Sequence, residues 1–162
     1  MPGGTGPAVE TIAACLGADV SGLGDEHARW AVYRRAMGVP KMWERLADAV
    51  REEPDQAVAL SVVLCMLERV PTADRERWPQ VIASLQKREF AQRRAEELAV
   101  LERAMAGADS HEAEWSRWLQ ERLSERATSV DLLERLAAEG ATKRIRRTAA
   151  ERRRILRTSS MK

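Results

Sequence analysis

Histidine, cysteine and single-ring aromatics are scarce in this chain, and each scarcity removes a class of chemistry. There are two His, His27 and His111, and two Cys, Cys15 and Cys65. So few, and so scattered, they cannot form a closed zinc site at recognisable ligand spacing. The stretch His111-Glu112-Ala113-Glu114-Trp115 begins like a zinc-protease helix but has Trp where the second His must stand. The metal would lack a ligand. A Glu-x-x-His pair, needed for a two-metal site in a helical bundle, does not occur. Nor does the Gly-x-Ser-x-Gly nucleophile turn, and no Gly-Lys-Ser/Thr follows the glycines Gly3, Gly4 and Gly6. The expectation is a chain with no catalytic residues, no cofactor and no metal.

Other absences bound the setting. The longest uncharged stretch, 56–67, falls well short of the roughly 20 residues a membrane-crossing helix needs. The first residues have neither the basic start nor the apolar run of a secretory signal. Both cysteines lie in apolar helical surroundings, which suits small buried hydrophobes in a reducing compartment better than a disulfide or a reactive thiol. These features point to the cytoplasm and away from membranes. Runs of β-branched residues are nearly missing, and 162 residues hold only six Pro and nine Gly.

What remains is the vocabulary of helices. Ala, Leu, Glu and Arg dominate, with 44% apolar and 32% charged residues, and these side chains lose little freedom in a helix. The fold expected is all-α, with about eight helices in one domain over 8–157 and short tails at 1–7 and 158–162. Helices are predicted over 8–16, with Gly17 as the stop, and from the cap Asp25 to Met37, with Gly38 as the stop. Pro40 opens a third, burying Trp43, Leu46, Ala47 and Val50. Pro54 opens a fourth at its first turn. That helix is uncharged on every side, which predicts burial all round. A long helix is expected over 79–106, bent near 86–89, with a stripe of Ala91, Ala95, Leu98, Leu101 and Met105. A capping-box pattern at 109–112 precedes a sixth helix carrying Trp115, Trp118, Leu119 and Leu123 on one face. The cap pattern at 128–131 leads into Leu132, Leu133 and Leu136. The last helix, 142–157, sets Ile145, Thr148, Ala149, Ile155 and Leu156 against arginines.

Two stretches, 46–67 and 132–156, align on each other. With Leu46 on Leu133, Pro54 falls on Ala141, Asp55 on Thr142, Val58 on Ile145 and Ser61 on Thr148. Val62-Val63 then matches Ala149-Ala150. This pattern resembles tandem helix pairs of the HEAT-repeat kind over about a third of the chain. The resemblance implies an irregular α-solenoid acting as a binding scaffold; the alternative architecture is a helical bundle.

Charge is the strongest functional feature. Residues 141–162 hold nine Lys or Arg against one acid, Glu151, for +8, while the other 140 residues carry −6. Lys143, Arg144, Arg146, Arg147, Arg153, Arg154 and Arg157 are the candidate polyanion-binding residues. Trp115, Trp118 and Arg122 are the candidate partner-binding residues, because Trp and Arg concentrate at binding hot spots. The composition therefore points to a non-catalytic protein–protein interaction module, an adaptor or accessory subunit of a larger complex. The partner expected is another protein. The alternative is a nucleic-acid-binding protein using the basic last helix, either through phosphates or as the second helix of a helix-turn-helix. The heavy use of Arg and Ala is similar to that of proteins from high-GC bacteria.

Overall fold

The computed structural model describes residues 6–108 and 114–160. Among these the fold is all-α. Eight α-helices and three short 3-10 turns are present, and there is no strand. The helices are α1 (Pro7–Cys15), α2 (Glu26–Met37), α3 (Trp43–Glu52), α4 (Gln56–Leu67), α5 (Leu85–Met105), α6 (Arg117–Arg126), α7 (Val130–Glu139) and α8 (Lys143–Ser159). No helix among the described residues is long and apolar enough to cross a membrane. Where the sequence suggests one domain, the chain groups into two compact units, 1–95 and 96–162, with the boundary inside α5.

Local chemistry sets the helix ends. Asp25, Asp55, Ser116, Ser129 and Thr142 each accept a backbone N–H of the first turn as N-caps. Gly17 and Gly107 follow α1 and α5 with φ of 63° and 90°, the left-handed region that glycine enters without a Cβ penalty. Ala18 N–H then reaches Ala13 O, and Ala108 N–H reaches Arg103 O, satisfying last-turn carbonyls.

In the first unit α1 packs on α3, and α2 touches α1, α3 and α4. Its core contains Ile12, Tyr33, Leu46, Met66, Leu67, Ile82 and the fully buried Trp78. A charged cluster lies inside it. Arg29 of α2 grips Glu53 in a two-point pair, Nη2–Oε1 at 2.8 Å and Nε–Oε2 at 2.9 Å. Its Nη1 also donates to the carbonyls of Leu23 and Gly24. Tyr33 O–H donates to Glu53 Oε2 at 2.6 Å, and Asp55 N–H to Oε1. Side-chain exposure is 6% for Arg29 and 0% for Glu53, so the pair survives because its hydrogen bonds are met. The Glu53 hydrogen bond, joined by its charge, holds the Arg29 guanidinium above its ordinary pKa. Burial, followed by that carboxylate, pushes the Tyr33 phenol up.

In the second unit α6, α7 and α8 pack on one another, most extensively α7 on α8. The core is aliphatic, with Leu119, Leu123, Leu132, Leu133, Leu136, Ile145 and Ala149. Thr128 ties the α6–α7 connection to the end of α5 through its N–H and hydroxyl on Ala104 O.

Several expectations need correction. Pro54 lies outside α4, because Asp55 takes the cap and the helix begins at Gln56. The uncharged α4 is not buried all round: Ala57 and Ser61 are exposed, and Leu60, Leu64 and Cys65 are half-buried. The long helix over 79–106 is interrupted. A 3-10 turn at Pro79–Val81 is followed by extended backbone at Ile82, and α5 starts only at Leu85. Within the expected stripe Met105 is exposed. Cys15 is exposed beside Arg45, and Cys65 is half-buried, so neither is a core hydrophobe. Trp115 precedes α6, which begins at Arg117. The proposed cap at 109–112, with His111, lies outside the described residues.

Candidate docking surface

The basic helix α8 is fixed from behind. Ile145 and Ala149 are buried, and two inward arginines add polar anchors. Arg152 donates to Ala127 O at 2.6 Å and to Arg126 O at 3.2 Å, the carbonyls ending α6. Arg146 donates to Gly140 O, the C-cap residue of α7. Cationic groups at helix C-termini meet carbonyls left without an intrahelical partner and the negative end of the helix dipole.

α8 runs antiparallel along α7. Glu134, in the second turn of α7, accepts from Arg153 at 3.2 Å and Arg157 at 3.4 Å, late in α8. The far end of α7 meets the start of α8 at Gly140. A Cβ at Gly140 would lie 2.5 Å from Leu136 O and 2.7 Å from Ile145 Cγ2, so the close approach requires glycine. The pair is therefore a helical hairpin. A DNA-reading helix-turn-helix sets its two helices at about 90–120°, and α8 does not project from α7 in that way.

The seven candidate basic residues thus separate by role. Arg146 caps α7. Arg153 and Arg157 share Glu134. Arg154 pairs with Glu151 one turn earlier at 2.7 Å, which lowers the Glu151 carboxyl and raises the Arg154 guanidinium. Lys143, Arg144 and Arg147 are exposed and make no hydrogen bond or ion pair of their own among the described residues. Lys143, Arg147 and Arg154 lie along the outward side of the helix, opposite Ile145 and Ala149. A shallow groove opens there over Ala150, lined by Arg147, Arg153, Arg154 and Arg157 together with Glu151 and Thr158.

The tryptophan candidates form a separate feature. Trp115 is half-buried beneath Arg135 of α7, with the guanidinium carbon 5.7 Å from the ring centroid. Trp118 is half-buried beneath Arg122, at 5.5 Å. Each indole is faced by a guanidinium, and none of the exposed large hydrophobics lies beside them in the chain. Gln120 links this region to the hairpin turn, donating to Trp115 O and accepting from Ala141 N–H.

Charge bookkeeping sharpens the asymmetry. Residues 1–95 carry thirteen acids and thirteen bases, so the first unit is neutral. Residues 96–142 hold eleven acids and five bases, for −6, and 143–162 hold one acid and nine bases, for +8. The polarity thus lies within the second unit. Sequence reasoning counted Arg152 among the bases of α8 without its contact to α6, and missed Glu134 and Ala150 as members of the α8 environment. Glu134 acts across the hairpin and Arg152 on the end of α6, neither with a spacing signal, and Ala150 matters only because its small side chain leaves the groove floor open. Among the described residues no group of three or more His, Cys, Asp or Glu could hold a metal ion. Comparison of the chain with protein-family models, curated proteins and solved structures finds no match.

Proposed function

We propose that this chain is a non-catalytic interaction module that docks an acidic protein partner on the outward face of α8, as an adaptor or accessory subunit of a larger complex. The supporting observation is the division of labour among the bases of α8. Arg146 and Arg152 hold the helix in place from behind, and Lys143, Arg144 and Arg147 stand ready in front. A basic surface fixed before binding loses less side-chain and backbone entropy on association and steers an oppositely charged partner toward it. A HEAT-like scaffold would serve the same role, with the α7–α8 hairpin as one of its helix pairs.

Nucleic acid is the second reading, because the same cations could neutralise phosphates. The hairpin geometry and the lack of aromatic side chains among the arginines weigh toward protein. The test is titration of poly-L-glutamate and a mixed-sequence DNA duplex at low and moderate salt. Wild type should bind polyglutamate at low salt, and K143E/R144E/R147E should not. A duplex still held at moderate salt, with polyglutamate released, would assign the face to nucleic acid. No polyglutamate binding at low salt would overturn both the docking face and the module built on it.

A further inference from the structure

The groove over Ala150 has a composition that a simple carboxylate partner does not exploit. Four arginines, Arg147, Arg153, Arg154 and Arg157, line it around the small Ala150, with Thr158 and one carboxylate, Glu151, which is already paired with Arg154. A carboxylate offers two oxygens, whereas a phosphate monoester offers three and carries about −1.5 to −2 charge at neutral pH. Planar guanidinium forks match phosphate oxygens in two-point bonds. Ala150 leaves room for the group to sit down among them, and Arg147 to Arg157 spans about 15 Å of helix axis.

The existing partners of these arginines do not close the site. Glu134 is 53% exposed and shared by Arg153 and Arg157. Glu151 is 56% exposed and holds Arg154. Ion pairs this open contribute little, so an incoming dianion can recruit the same guanidinium groups. Arg147 makes no side-chain hydrogen bond or close ion pair among the described residues, and its charge acts on the exposed Glu151 only through space.

We infer that the groove bounded by Arg147, Arg153, Arg154 and Arg157 over Ala150 is a phosphate-monoester subsite, which reads a phosphorylated side chain on the acidic protein partner. This rests on the reading of α8 as the docking face and adds that the partner is recognised in its phosphorylated form. Lys143 and Arg144, one to two turns toward the start of the helix, would take flanking acids. Recognition of phosphorylated or acidic motifs by clustered arginines is an established binding mode.

The experiment uses the full chain and four probes: a short acidic peptide with one central phosphoserine, the same peptide with Ser or Asp there, and a single-stranded oligonucleotide of equal charge. Calorimetric titration should give binding on the order of tenfold tighter for phosphoserine than for Asp, as expected when charge-assisted bonds are added. That preference should shrink below about pH 6, where the phosphate takes up its second proton. Ala150→Leu keeps every charge and fills the groove floor. It should abolish the phosphoserine preference and leave the Asp-peptide affinity unchanged. Arg153→Gln with Arg157→Gln should weaken both peptides and also remove the phosphoserine preference, and a circular dichroism spectrum checks that each variant stays folded. Equal affinity for phosphoserine and Asp peptides, or a preference that survives A150L, overturns the phosphate subsite and leaves the docking face standing. An oligonucleotide that displaces the phosphopeptide at equal charge also overturns it. No binding of any acidic peptide overturns the docking face itself.

Discussion

The helix pairs α3–α4 and α7–α8 begin from matching local chemistry and end in different packing. Asp55 and Thr142 occupy equivalent places and both cap the second helix of their pair. Val62 and Ala149, also equivalent, are both buried. Yet α7 and α8 lie along each other, whereas α3 and α4 share few contacts and α4 packs chiefly on α2. The residue that ends the first helix differs. In the first pair it is Glu53, drawn into the core by Arg29 and Tyr33 of α2. In the second it is Gly140, whose missing Cβ lets Ile145 close on the last turn of α7. A connector that serves a third helix pulls its pair apart. One with no side chain lets the pair close. Cap chemistry decides where helices start, and a single connector residue decides what they pack against.

The largest break in this comparison should come from Glu53→Ala, which strands the buried Arg29 guanidinium. The expected loss is about 3–5 kcal/mol. In native-state hydrogen exchange the amides of α2 and α4 should lose protection. Gly140→Ala should cost about 1–3 kcal/mol through crowding against Leu136 O, with lost protection confined to α7 and α8. Tyr33→Phe should cost roughly 0.5–1.5 kcal/mol near neutral pH and should also remove an alkaline sensitivity. The folded-state pKa of Tyr33 is raised above its unfolded value of about 10. Its contribution is therefore intact below that pH and lost as pH rises further. Wild type should weaken above about pH 10 in urea titrations, and Y33F should follow a flatter curve. The smallest effect belongs to Glu134→Gln, the exposed counterpart of Glu53. It should change stability by no more than about 1 kcal/mol, read from the same exchange experiment on α7 and α8.

The elements were largely legible in the sequence because capping and glycine stops are local. Asp25, Gly17, Gly38 and Thr142 mark helix ends as expected. The misjudged details have tertiary causes. The lack of charge on α4 suggested burial on every side, but burial depends on what surrounds a helix, and Ala57 and Ser61 face outward. Pro79 reads as a helix start, but a turn and extended backbone intervene before α5. Of the candidate surface, the charge of α8 was plain, and its sorting was not. Nothing in local spacing tells that Arg152 caps α6 or that Arg153 and Arg157 converge on Glu134, since those partners lie 19 to 26 residues away. The Trp115 and Trp118 signal was ambiguous for a related reason. An arginine stacked on each ring is a contact that sequence spacing alone does not establish.

The central claim is that the front of α8 is the working surface, and the most direct test maps where an acidic ligand lands. Amide chemical shifts of the intact chain would be followed while polyglutamate is added at low salt. Changes should be confined to the front of α8 and the residues beside it, centred on Lys143, Arg144 and Arg147, with the amides of α1–α4 unmoved. Changes centred on Trp115 and Trp118, or on the first unit, would contradict it.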